Sequence, residues 1–278
     1  MSDLSSGKNH KGENFPVASI LIAKEHRPPI MAFYRFARAA DDIADHPTAP
    51  ADEKLERLAA MRAGLDGKGA PEAEALGRVM SAYDLDPAHA HDLLDAFVQD
   101  VTVNRYETWS ELIGYCRLSA MPVGRFVLDV HGEHRATWAF SDALCAALQV
   151  INHLQDCAKD HRAINRVYIP TELLAHHGGK VEDLTLPRAT PGLRGAIVEA
   201  AERTRELLHT SSAFAPAIRS RRLAMEVAVI QRLAEDLTEK LITCDPLSQR
   251  VHHSSGAAAL IGLRAALGEL VSRGFRGS

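Results

Sequence analysis

The strongest constraint on how this 278-residue chain folds is a pair of acidic stripes written on helical spacing. Tyr34, Arg38, Asp41 and Asp45 stand at i, i+4, i+7 and i+11, with Asp42 beside them. Gln149, Asn152, Asp156 and Asp160 stand at i, i+3, i+7 and i+11. A helix carries each set along one face. Next to the second set, Ala147, Ile151, Leu154 and Ala158 form an apolar stripe that packs inward.

Helical signals extend over the rest of the chain, and alternating strand patterns are scarce. The spacing predicts helices over about 17–25, 28–45, 51–65, 72–83, 87–102, 108–131, 136–161, 192–211, 213–242 and 257–273. Pro28 and Pro29 suit a helix start, and Pro47 and Pro50 end that helix. Pro122 predicts a break or kink near Ala120. A Gly-, Pro- and Thr-rich loop is expected at about 178–192, and residues 166–170 make the best short strand pattern. No repeat or internal boundary is evident. The reading is a polar, mobile leader over 1–13 and one all-α domain over 14–278.

Like charges at i and i+4 repel by a few tenths of a kcal/mol in an isolated helix. Selection for stability alone would place lysine or arginine there. One acidic cluster taken by itself is usually a solvated face. Two matched stripes, the second in an alanine-rich helix, point instead to a compensating cation. Magnesium suits the set: it prefers oxygen ligands and is held by one or two carboxylates plus substrate phosphate oxygens. Such ions make a diphosphate a better leaving group, because they neutralise the charge that develops as the carbon–oxygen bond breaks.

Other classes are disfavoured. A net charge of -4 leaves no basic footprint for nucleic acid. Cys116, Cys145, Cys157 and Cys244 form no Cys-x-x-Cys pair and no disulfide framework. The N-terminal residues are polar, without the apolar run of a secretory signal. No uncharged apolar run approaches the ~18 residues of a spanning helix, so a cytoplasmic location is expected. The groups His89/His91, His131/His134, His176/His177 and His252/His253 lack a zinc pattern and are read as solvated loop histidines. In the C-terminal segment 257–271, Leu260, Leu263, Leu267 and Leu270 share one side without a basic face, which favours core packing over membrane contact.

At the two stripes the chain resembles the squalene and phytoene synthase family. The first family motif, Asp-x-x-x-Asp after an aromatic- and arginine-containing helix, is matched by Tyr34, Arg38, Asp41 and Asp45. The second, Gln-x-x-Asn-x-x-x-Asp-x-x-x-Asp, is matched by Gln149, Asn152, Asp156 and Asp160. An Arg-x-Tyr-x-Pro segment follows as Arg166, Tyr168 and Pro170. The resemblance spans roughly residues 14–240 and implies a single isoprenoid synthase helical bundle with a central cavity, aspartates at its mouth and an apolar tunnel below. It assigns Asp41, Asp45, Asn152, Asp156 and Asp160 to about three magnesium ions bridging a diphosphate. Tyr34, Arg38, Gln149, Arg166 and Tyr168 become substrate-binding residues, and Tyr115 lies close to the reacting carbons.

Finer detail resembles the bacterial hopanoid-pathway hydroxysqualene synthases, through residues 11–19 and Tyr115-Cys116-Arg117-x-Ser119-Ala120-x-Pro122-Val123-Gly124-Arg125. That branch ionises presqualene diphosphate, rearranges the cation and captures water, a carbon–oxygen lyase reaction that needs no nicotinamide reductant. The rival enzyme reading is a prenyltransferase condensing two prenyl diphosphates to presqualene diphosphate, squalene or phytoene. The rival of another class is a non-catalytic helical assembly or isoprenoid-binding protein. The expected partner is an isoprenoid diphosphate. Transient membrane-surface contact, a place peripheral to the inner membrane, and coupling to other hopanoid-pathway enzymes are further expectations. Gln155 departs from the family arginine before the second motif's aspartate, and the C-terminal third holds Val229, Ile230 and Gln231 where a helical tyrosine is usual. Phe33, Phe36, Leu118, Val123, Phe126, Val127 and Leu148 are the candidates for an apolar wall around the cation.

Overall fold

The computed structural model describes residues 23–254 together with Gly256, Ala258, Ala259, Ile261, Gly262, Ala265, Ala266 and Glu269. The polar leader, the resemblance over 11–19 and the C-terminal leucines named above lie outside the described residues. Among the described residues the fold is all-helical, and the only strand-like pairing is a parallel bridge between Arg105 and Val167. The strand pattern at 166–170 therefore reduces to one bridge, because each side of the pair is a short segment between helices.

Helix α1 spans Arg27–Ala44, α2 Ala51–Leu65, α3 Pro71–Tyr83 and α4 Ala88–Thr102. Then come α5 (Trp109–Ser119), α6 (Met121–Val130), α7 (Trp138–Ile164) and the short α8 (Thr171–His176). The chain continues through α9 (Pro191–Ser211), α10 (Phe214–Ala217) and α11 (Arg221–Thr243). The predicted break falls at Ala120, which stands between α5 and α6 one residue before the helical Met121-Pro122 start. Two features depart from the expected map. The predicted helix over 213–242 is split at residues 218–220, where Ser220 caps a new helix by accepting from the Leu223 N–H. The loop over 178–192 contains a 3-10 turn, Val181–Thr185, and is preceded by α8.

Two apolar clusters result. One gathers α1 to α4 around Phe33, Phe36, Leu58, Met61, Leu76 and Leu94, and takes in Phe126 from α6. The larger one is built on α7, which packs against α5, α6, α9 and α11. Small residues set how closely the helices approach. A Cβ on Gly124 would fall 2.4 Å from Ser141 Oγ and 2.6 Å from Cys145 Sγ, so α6 lies tight on α7.

His89 and His131 are less solvated than their sequence context suggests, whereas His134, His176 and His177 are exposed as expected. His89 is buried with Nε2 2.9 Å from Asp129 Oδ2. His131 Nδ1 bonds the Val127 carbonyl, and His177 Nε2 lies 2.8 Å from Glu199. Each sits where a helix end or a facing helix supplies an acceptor. No helix among the described residues is long and apolar enough to cross a membrane.

Two glycines in helices separate propensity from packing. Alanine is favoured over glycine by roughly 1 kcal/mol in a helix interior. At Gly77 a Cβ would meet the Leu65 carbonyl oxygen at 2.3 Å, where α3 crosses α2. Backbone overpacking costs about 1–3 kcal/mol, so it outweighs propensity there. At Gly114 nothing lies within 4 Å. Gly77→Ala is expected to lower stability by about 1–2 kcal/mol and Gly114→Ala to raise it by up to about 1 kcal/mol, read from urea midpoints.

Candidate functional site

Where the two apolar clusters meet, a cavity of about 370 Å³ opens between α1, α4, α5, α6, α7 and the segment after α7. Asp41, Asp45, Asp156, Asp160, Tyr115, Tyr34, Arg38, Gln149, Asn152, Arg166 and Tyr168 all line it. The structure thus brings together every site residue expected from the sequence. It adds Asp100, Lys159, Leu93, Phe97 and Ser119 to the wall, which His153 also joins.

The α1 carboxylates stand where a helix least favours them. Asp45 is the C-cap of α1, at the negative end of the helix dipole. Cations compensate. Arg38 lies 3.1 Å from Asp41 and 2.8 Å from Asp42, and Arg166 donates to Asp45 at 3.0 Å. Lys54 donates to the Ala44 carbonyl at 2.9 Å, covering one of the last acceptors of the helix.

On α7, Lys159 pairs with Asp156 at 2.8 Å. Asp160 makes no ion pair within 4.0 Å among the described residues. Burial, and then the neighbouring Asp156, push its carboxyl up to about 7. Helix α7 ends at Asn165, whose φ of 53° is the left-handed C-cap conformation that asparagine tolerates. The turn carries Arg166 straight back towards the aspartates. Arg105 holds it by donating to Asn165 Oδ1 at 2.7 Å.

Arg166 is buried and organises the floor of the cavity. It donates to Asp45, to the Tyr168 hydroxyl at 3.0 Å and to the Asp100 carbonyl at 2.8 Å. Asp100, only 6% exposed, accepts from the Tyr115 hydroxyl at 2.9 Å. Burial raises the Asp100 carboxyl to about 7, against the opposing pull of Arg166 and the Tyr115 hydrogen bond. Asp100 is the residue that sequence reasoning missed. Its signal was present: it lies three residues after Phe97 and seven after Leu93, on the buried stripe of α4.

Four rings close the inner end. His153 stacks on Tyr168 with centroids 3.4 Å apart, and Tyr106 and Tyr115 pack beside them. Burial, and then the charge of Arg166, lower the His153 imidazole to about 3, so the ring is neutral near pH 7. Burial also holds the Tyr115 and Tyr168 hydroxyls protonated well above their ordinary range.

The expected apolar wall is corrected. Phe33, Phe36 and Phe126 are core residues, with Phe33 stacked on Phe126 at 4.1 Å. Leu118, Val127 and Leu148 pack, partly buried, against the α7 cluster. Of the seven candidates only Val123 lines the cavity, and Leu93, Phe97 and Ile164 supply the rest of its larger apolar surface. The phenylalanines of α1 point into the α1–α4 core because the opposite face of that helix carries the aspartates. Gln155 lies away from the cavity wall, with its amide donating to the Val251 carbonyl.

The donor set fits a hard divalent cation. It is all oxygen, and Asp160, raised first by burial and then by Asp156, is a carboxyl that a nearby cation would help to ionise. No three acidic side chains of the cavity bring ligand oxygens within 4.8 Å of one another; among the described residues that closeness occurs at His176, His177 and Glu199. The cavity carboxylates are therefore spread around the wall rather than gathered at a single point.

A model of the family described as squalene/phytoene synthase matches residues 8–256. A hydroxysqualene synthase of Zymomonas mobilis is 53% identical over 97% of this chain and 92% of its own length. One from Rhodopseudomonas palustris is 51% identical over 99% and 94%. The crystal structure of squalene synthase HpnC from Alicyclobacillus acidocaldarius superposes with a TM-score of 0.71, at 30% identity, over 86% of this chain and 90% of that one. Acidic stripes from two helices on one cavity, in an all-helical fold matched along nearly its whole length, place this chain in the squalene/phytoene synthase family.

Proposed function

We propose that this chain is a hydroxysqualene synthase, which ionises presqualene diphosphate, lets the resulting cation rearrange and captures water to give hydroxysqualene. The observation that carries the reading is the convergence of Asp41 and Asp45 from α1 with Asp156 and Asp160 from α7 on one cavity. The choice of this reaction within the family rests on the two relatives of that name, each about half identical over nearly the full chain.

In this reading Asp41, Asp45, Asp156, Asp160 and Asn152 would hold magnesium, about three ions, together with the diphosphate. When bound, magnesium neutralises the charge that develops on the departing diphosphate. Arg38 and Arg166 orient the diphosphate, since guanidinium matches phosphate oxygens in a two-pronged geometry. Tyr34 and Gln149 complete its polar surroundings. Asp100 acts through others: it fixes the Tyr115 hydroxyl and, with Asp45, the guanidinium of Arg166. Tyr115 borders the hydrocarbon with a ring whose electron-rich face tolerates a passing cation, and Tyr168, stacked under His153, holds Arg166. Leu93, Phe97 and Val123 keep stray water from the reacting carbons. A long hydrocarbon substrate is taken up most readily from a lipid surface, so we place the encounter at a membrane face, next to the enzymes that make and consume these lipids.

The reading is tested with purified protein and magnesium. Presqualene diphosphate without any reductant is expected to give hydroxysqualene by mass spectrometry, whereas farnesyl diphosphate gives no product. Squalene or phytoene-type condensation from prenyl diphosphates would replace this assignment with the prenyltransferase one. Asp41→Asn and Asp156→Asn are each expected to cut turnover by about a thousandfold or more with unchanged far-UV helicity, as losing ~4 kcal/mol of charge stabilisation requires. Chelating magnesium should abolish turnover, and adding it back should restore it.

A further inference from the structure

Two adjacent histidines carry no metal spacing in the sequence, and His176 and His177 stand where the short helix α8 ends. The third member of their cluster comes from another element. Glu199 lies on α9, 22 positions after His177. One ligand atom from each of His176, His177 and Glu199 lies within 4.8 Å of the other two. None of the three lines the cavity, and none is fully buried, so the cluster is separate from the aspartates and open to solvent.

The surrounding structure holds each member in place. The His177 ring rests on Gly195 of α9, where a Cβ would fall 2.5 Å from Nδ1 and 2.7 Å from Cγ. That packing turns Nε2 to Glu199, 2.8 Å from Oε2. Arg203 binds the other oxygen, Oε1, at 2.7 Å. A carboxylate anchored through one oxygen presents the second in a fixed direction, as metal-ligating carboxylates do. His176 stands edge-on to His177, with ring centroids 4.9 Å apart at 87°. Both imidazoles project from a closed helix end, where the Gly178 N–H bonds the Ala175 carbonyl and the Gly179 N–H bonds the Leu174 carbonyl.

A single hydrogen bond accounts for His177 and Glu199. It does not account for a His176 nitrogen in the same small sphere. Two imidazoles and a carboxylate suit zinc(II), whereas magnesium prefers oxygen alone. Tetrahedral zinc with bonds of about 2.0–2.2 Å sets neighbouring ligand atoms about 3.3–3.5 Å apart. The exposed His176 side chain can turn to close the remaining gap.

We propose that His176, His177 and Glu199 form a zinc(II) site that clips α8 to α9, with solvent as the fourth ligand. The ion takes the place of the hydrogen that joins His177 Nε2 to Glu199 Oε2. The inference goes beyond the hydroxysqualene synthase reading and does not rest on it.

The test titrates zinc chloride into the metal-free full chain by calorimetry, with excess magnesium present to occupy the aspartates. Wild-type protein is expected to take up one zinc equivalent that His176→Ala binds at least about tenfold more weakly. His176 makes no hydrogen bond among the described residues, so this variant leaves the His177–Glu199 contact intact. Glu199→Gln is expected to weaken the same equivalent and gives a second reading should the first variant not fold. Zinc should also raise the thermal midpoint of the wild type and leave that of His176→Ala unmoved, because a ligand of the folded state stabilises only the protein that binds it. Zinc bound as tightly by His176→Ala or Glu199→Gln as by wild type lies elsewhere and overturns the proposal. So does wild-type protein that takes up no zinc. Neither result bears on the reaction at the cavity.

Discussion

The structure depends on one buried cation. Arg166 lies where the two apolar clusters meet and binds Asp45 from α1, the α4 carbonyl of Asp100 and the Tyr168 hydroxyl at once. A guanidinium withdrawn from water needs several acceptors, and removing one partner of a buried pair typically costs about 3–5 kcal/mol. The acidic face of α1 needs a cation at its negative helix end. Each requirement answers the other. The chain meets them by ending α7 in the left-handed turn at Asn165, which brings Arg166 back to the carboxylates.

Around that contact, stability and function pull in opposite directions. The α1–α4 cluster and the α7 cluster supply ordinary apolar burial, and close approaches at Gly77 and Gly124 let their helices pack tightly. The seam between them collects what a core would exclude: Asp100 and Asp160 with carboxyls raised to about 7, a neutral buried imidazole and three hydroxyl-bearing rings. Arg38, Lys159 and Arg166 offset part of the acidic charge, leaving an excess suited to divalent cations and an anionic ligand.

The seam combines two kinds of wall. Carboxylates and their counter-cations gather where α1 finishes and α7 runs out to Asp160. Arg166 links them to the aromatic rings through Tyr168, and Leu93, Phe97 and Val123 add apolar surface. A substrate with a diphosphate head and a hydrocarbon tail matches this combination. Charge separation at the polar wall leaves the cation among rings and apolar side chains, where few nucleophiles reach it.

The sequence by itself determined the helices, the break at Ala120 and the two faces bearing Asp41, Asp45, Asp156 and Asp160, because helical periodicity is a local property written at three- and four-residue spacing. It also carried the family motifs through Arg166 and Tyr168. Only the tertiary structure decided which apolar residues face the cavity. Phe33, Phe36 and Val123 are equally hydrophobic in sequence, and the rotation of α1 and α6 against their neighbours sends the phenylalanines into the core and leaves the valine on the cavity wall. The same holds for Asp100. Its place arises from partners far along the chain, such as Arg166, and from desolvation, neither of which exists until the helices pack.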